Sequence, residues 1–144
     1  MEGRGGRMTT VHASVFVSLF NSAHPSHSQT VAWLKEAVAT AEPLRAPVTV
    51  LAEVAAAVSS GTSDKQMGRD VASQIRHSPL FELLPVALAL AERAATIAAE
   101  HRFSGGDSLY FAIAETLGDR LVTLEPDQLA RGNSLVETVR PRVK

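Results

Sequence analysis

Cysteine is absent from this 144-residue chain, which excludes disulfides, thiolate zinc sites and a cysteine nucleophile. Any bound metal must therefore take oxygen or imidazole ligands. A net charge is also nearly absent. Fourteen Lys and Arg face 15 Asp and Glu, for a formal charge of −1 and a pI near 6.5. No global field draws such a chain to nucleic acid or to an anionic membrane, so a nucleic-acid role needs a local basic patch or metal ions. No apolar run approaches the length of a transmembrane span. Arg4 and Arg7 ahead of Ala13–Phe20 look like the opening of a signal peptide, but His12, Ser14 and Ser18 interrupt it. The segment reads instead as a buried strand running into a helix, and the expected location is cytoplasmic.

What is present is ordinary globular composition, with 45% hydrophobic and 20% charged residues in a length that suits one domain. Residues 1–7 (MEGRGGR) lack apolar periodicity and are expected to be a disordered tail, leaving residues 8–144 as a single domain. Eleven of the 14 basic residues are Arg. Arg binds phosphate well, but a GC-rich coding sequence accounts for the bias as simply. A strand is expected over Thr9–His12, followed by a helix over Val15–Asn21 with Ser14 as its N-cap. A second helix runs from Ser26 or Ser28 to about Ala41, with Val31, Leu34, Ala37, Val38 and Ala41 on one face. An extended stretch at Ala46-Pro47 precedes a helix from Thr49 to Ser60 that Gly61 ends, and Ser63 caps a polar helix over Asp64–His77. Strands are expected over Leu80–Val86, Arg120–Leu124 and Leu135–Val139. Helices are expected over Leu88–His101, Ser104–Leu117 and Asp127–Arg131. Strands alternating with helices predict an α/β layer fold with a mostly parallel sheet, in which ligands bind beyond the carboxyl ends of the strands.

Three sets of acids fall near such ends. Glu53 is the only charge between Val48 and Ser60 and lies off the apolar face, among Thr49, Ala52, Ala56 and Ala57. That pattern describes a cleft wall, and equally an isolated surface Glu on an Ala-rich helix. Asp107 fits a capping box with Ser104, and an acid suits a helix N-terminus. The Gly105-Gly106 pair before it would instead let a ligand or another segment approach closely. Glu125 and Asp127 follow Leu121–Leu124 directly. A Glu-Pro-Asp turn in which Asp127 caps the short helix explains Asp127 better than Glu125. Acids gathered at such ends could together bind Mg²⁺ or Mn²⁺ through oxygen. His24 and His27 share a loop, and Arg140, Arg142 and Lys144 form a basic tail. Neither pattern is specific. There is no G-x-S-x-G elbow, P-loop or G-x-G-x-x-G, so a phosphatase-like or nucleotide-binding α/β domain lacks its phosphate loop.

The stretch Phe103-Ser-Gly-Gly-Asp107 through Gly118-Asp-Arg-Leu-Val-Thr123-Leu-Glu125-Pro-Asp127 resembles the C-terminal signature of PIN domains, closest to VapC-type toxins of toxin–antitoxin pairs. In that signature an Asp opens a helix and a strand ends in Thr-x-Asp. Ala46-Pro47 with Leu51-Ala52-Glu53-Val54 resembles the family's Pro…Glu-Val helix, and Val11-His12-Ala13-Ser14 resembles its opening Asp-x-Ser. The likeness covers nearly the whole chain from Met8.

The resemblance implies a three-layer α/β/α domain, usually dimeric, that cleaves single-stranded RNA with Mg²⁺ or Mn²⁺ and is held inactive by a cognate antitoxin. The apolar character of the first two helices adds to the expectation of a homodimer. Carried over residue by residue, Glu53 and Asp107 match two of the metal-holding acids. Glu125 matches the third, with Glu in place of Asp. Asp127 falls where many relatives have a further acid, and Ser14 matches the Ser/Thr beside the site. His12 stands where the family has its first Asp, which removes a charge and a hard oxygen ligand. The expected outcomes are binding of Mn²⁺ in place of Mg²⁺, weakened metal binding, or a lost site in a non-catalytic binding or assembly module.

Overall fold

The structure, a computed structural model, describes residues 8–143; the tail expected over residues 1–7 lies outside them. Strand β1 (Thr9–Val11) leads into helices α1 (Ala13–Phe20) and α2 (His27–Ala39). Strand β2 (Leu44–Pro47) leads into α3 (Val50–Thr62) and α4 (Lys65–His77). Strand β3 (Phe81–Leu84) leads into α5 (Leu88–His101) and α6 (Gly105–Leu117). Strand β4 (Arg120–Val122) is followed by α7 (Pro126–Arg131), a 3-10 turn over Gly132–Ser134, and β5 (Thr138–Val139).

The five strands form one sheet in the order β3-β2-β1-β4-β5, and every neighbouring pair is parallel. Thr9 of β1 is level with Leu44 on one side and Arg120 on the other. The chain steps outward from β1 to β3, then returns past β1 to β4 and β5. Right-handed crossovers accordingly put α1–α4 on one face of the sheet and α5–α7 on the other. The result is the expected three-layer α/β/α architecture. The order reverses between β1 and β4, so the crevice beyond their carboxyl ends is the topological switch point at which open α/β sheets take ligands.

The core sits on both faces of β1 and β4. Val11, Leu121 and Val122 are fully buried, as a parallel sheet covered on both faces requires. Helix α6 supplies Tyr110, Phe111, Ala112, Ile113 and Ala114, all buried; a helix apolar on every side must be enclosed. Helices α3 and α4 come so close at Gly68 that an added Cβ would lie 2.6 Å from the Ala55 carbonyl oxygen. Below the sheet, Asp119 is buried and accepts hydrogen bonds from Thr10 at 2.9 Å and from Arg45 at 2.8 and 3.2 Å. Arg120 donates to Thr9 and Glu42 beside it, and Thr9 also donates to Glu42. Among the described residues no helix is long and apolar enough to cross a membrane.

Several local expectations change. His12, not Ser14, caps α1: its ring accepts a hydrogen bond from the Ser14 N–H, and Ser14 falls inside the helix. Imidazole Nδ1 is as good an acceptor for that orphan donor as a carboxylate or hydroxyl. Helix α2 ends at Ala39 and buries Thr30 and Trp33 beside Ala37, with Leu34 packed partly against the core; of the expected face Val38 is 47% exposed. Thr30 can sit in the core because its hydroxyl bonds Ser18 and the Ser26 carbonyl. Helix α3 runs through Gly61 to Thr62, and Ser63 takes the left-handed position at φ 55. Asp64, not Ser63, then caps α4. Helix α1 buries Ala13, Val15, Phe16 and Ser18, and its Val17, Leu19 and Phe20 are half-buried.

Candidate functional site

The loop leaving β1 carries His12, and the loop leaving β4 carries Thr123 and Glu125, so both feed the switch-point crevice. A pocket of about 340 Å³ opens there, lined by His12, Ala13, Ser14, Val17, His24, Glu53, Ala57 and Glu125. Glu53 and Glu125, from α3 and the β4 loop, thus face one space with Ser14. Asp107 does not line it and is joined to it through His12.

His12 is 5% exposed and is fixed by both ring nitrogens. Nδ1 accepts from the Ser14 N–H at 3.1 Å and lies 2.9 Å from the Ser14 hydroxyl. An acceptor Nδ1 leaves the proton on Nε2, which donates to Asp107 Oδ1 at 2.8 Å. The Gln128 amide nitrogen lies 3.2 Å from that ring nitrogen. The Gln128 oxygen accepts from the Thr123 hydroxyl at 2.6 Å. The His12 bond, and secondarily the neighbouring Gln128 and Ser104 side chains, hold the Asp107 carboxyl below the usual range, against an opposing effect of burial. Ser104 does cap the Asp107 N–H, at 3.1 Å, but the carboxylate turns to His12, so one side chain serves both the cap and the site.

Glu53 is answered by α6. Its Oε1 accepts from the Tyr110 hydroxyl at 2.7 Å. An added Cβ on Gly106 would lie 3.2 Å from its other oxygen. The closely approaching group that the glycine pair admits is therefore Glu53 itself. Burial, then the Glu53 charge, push the Tyr110 phenol well up, so it stays a donor. The Tyr110 ring packs 4.7 Å from that of His12.

This arrangement gives the fold its family. Residues 10–133 match the PIN domain profile. The chain belongs to the PIN domain family. No curated protein sequence matches it, but solved structures of its kind do. VapC20 of Mycobacterium tuberculosis, a sarcin–ricin loop cleaving toxin, superposes with a TM-score of 0.72 at 22% identity, covering 86% of this chain and 95% of that one. VapBC2 of Rickettsia felis, bound to a DNA fragment from its promoter, gives 0.69 at 15% identity, covering 92% and 98%. FitAcB of Neisseria gonorrhoeae gives 0.63 at 18% identity, covering 93% and 98%. At these identities the likeness is one of fold.

Asp127 of this PIN domain turns away from the pocket. It is exposed and forms a two-pronged pair with Arg131 at 2.8 Å per bond, which holds its carboxyl below the usual range. Arg131 also donates to the His101 carbonyl and lies over the Phe103 ring, so the pair fastens α7 to the end of α5. His24 lines the pocket, whereas His27 donates its Nδ1–H to the Ser18 carbonyl. Arg140 and Arg142 border a separate cavity of about 520 Å³ beside β5; Lys144 lies outside the described residues.

Tyr110 and Gln128 were not picked out from the sequence. Each had a spacing signal: Tyr110, the single tyrosine, follows Asp107 by three on one helix, and Gln128 follows Glu125 by three. Residues three apart share a helix face. Among the described residues no three His, Asp or Glu side chains are gathered as a metal ion requires.

Proposed function

We propose that this chain is the toxin of a toxin–antitoxin pair, an endonuclease of weak activity that takes single-stranded RNA into the switch-point pocket. The observation that carries this reading is Glu53 and Glu125 facing one pocket with Ser14, in a PIN domain whose similar solved structures include toxins. A homodimer, a small antitoxin lying over the acidic crevice, and a cytoplasmic setting complete the proposal, with residues 8–144 acting as one domain.

The Mg²⁺ or Mn²⁺ ion that the family resemblance implies does not fit the side chains as they stand. Asp107 is committed to His12, Glu53 to Tyr110, and Asp127 to Arg131. The work these residues can do unaided is proton transfer and positioning: Glu53 and Glu125 can accept a proton from an attacking water or hydroxyl, and Ser14 can donate to a phosphate oxygen. This is the basis for expecting weak cleavage.

The His12–Asp107 bond favours a second reading, a binding or assembly module without catalysis. Incubation of the purified chain with single- and double-stranded RNA separates the two. Slow cleavage of the single strand, reduced at least about tenfold in Glu53→Gln, a barrier change of roughly 1.4 kcal/mol, is the expected result. RNA retained on the protein but uncut, in wild type and variant alike, would establish the binding module. Sedimentation at micromolar concentration tests the dimer, and co-purification of a small protein with the chain expressed in its native host tests the antitoxin.

A further inference from the structure

We infer that a hydrogen-bonded bridge stands where a divalent ion would have to sit, so that this chain binds neither Mg²⁺ nor Mn²⁺ in the pocket, and that His12 is the residue that closes it. The inference concerns the pocket on which the proposed function rests, but its test uses no RNA, so either can fail alone.

A cation entering between Glu53, Asp107 and Glu125 needs free oxygen lone pairs or a free imidazole nitrogen. His12 supplies neither. Its Nδ1 is taken by the Ser14 N–H and hydroxyl, and its Nε2 carries the proton given to Asp107. Turning the ring to free a nitrogen would strip the cap from α1. The ring is 5% exposed and packs against Tyr110, so it has no second position to take. Asp107 in turn is held by His12 at 2.8 Å, so an ion would have to break that bond to reach its carboxylate. His12 thus does two things a metal would otherwise do: it joins the β1 loop to α6 and satisfies the Asp107 charge. It lies on the pocket side of Asp107, which is absent from the lining while His12 is present.

A short acceptor at position 12 would keep the cap, since a carboxylate oxygen can take the Ser14 N–H as Nδ1 does. It would also remove the donor that occupies Asp107, leaving carboxylates from four positions around the pocket. His12→Asp should therefore create a metal site.

The test is calorimetric titration of wild type and His12→Asp with Mg²⁺ and with Mn²⁺, in the absence of RNA. Wild type should give no pocket binding, and His12→Asp should give saturable binding of Mn²⁺ under the same conditions. Equal affinity in the two proteins would overturn the inference. Should the crowded carboxylates keep the variant from folding, wild type alone decides through its imidazole NMR signals. The His12 resonances should remain sharp and unshifted on adding Mn²⁺, and their selective broadening at low Mn²⁺ would show that the ion enters despite the bridge.

Discussion

A carboxylate that accepts a bond from an imidazole is stabilised as an anion, and Asp107 beside His12 is in that position. The sign of its effect on stability follows from linkage. A carboxyl whose folded pKa is depressed adds stability that is present above its unfolded value and is lost as pH falls through the folded one. The margin of wild type over Asp107→Asn should therefore hold above about pH 4, the ordinary carboxylate value, and close in more acid solution. Urea midpoints followed downward from pH 6 would check it; parallel curves for the two proteins would show that Asp107 is not so held. The residue types and their approximate places were legible in the sequence for His12, Ser14, Glu53 and Glu125: Ser14 and Glu125 lie just past strand ends, Glu53 is the lone charge on its helix, and His12 stands at the opening position of the family resemblance. The partners of Asp107 and Glu53 were not. Whether a carboxylate at a third helical position bonds its own cap or a side chain 95 residues away depends on what the sheet brings near it.

Elements were legible where apolar periodicity and caps agree, as for α6 between Ser104 and Gly118, and misread where a polar residue is buried or a glycine does not stop a helix. Thr30 and Gly61 are the instructive cases. A hydroxyl with two partners can displace Val38 from a buried face, and Gly61 continues α3 because Ser63 takes the left-handed turn. Two glycines accordingly predict opposite outcomes. Gly68→Ala forces the α3 backbone away and should cost about 1–3 kcal/mol, a fall of several degrees in Tm for a chain of this size. Gly61→Ala meets nothing within 4 Å and should stabilise by about 0.5–1 kcal/mol. Thermal melts of the two variants beside wild type would read both. A Gly68→Ala protein as stable as wild type would mean that α3 and α4 are not in such close contact.

Over the whole molecule, β/α alternation was enough to read the layers and the parallel sheet, because crossover geometry leaves few alternatives. The charge network under the sheet was not legible, since Thr10, Arg45 and Asp119 come from three separate strands or their edges. Asp119 has no exposed side-chain surface, and that of Arg45 is 15% exposed. Removing one member strands the other, so Asp119→Ala should cost about 3 kcal/mol, read as a lower urea midpoint with unchanged slope. A loss under about 1 kcal/mol, the worth of an exposed pair, would show the network to be solvated.

The strand order also bears on synthesis. A nascent chain completes β1, β2 and β3 and the helices between them while the place beside β1 is still empty. Its occupant, β4, comes only after α6, and the contacts it makes with β1 are among the most distant in the sequence, Thr9 to Arg120 spanning 111 positions. Such long closures form late and slowly. Until β4 has left the ribosome, one wall of the crevice does not exist. A growing chain therefore passes most of its time on the ribosome without this pocket.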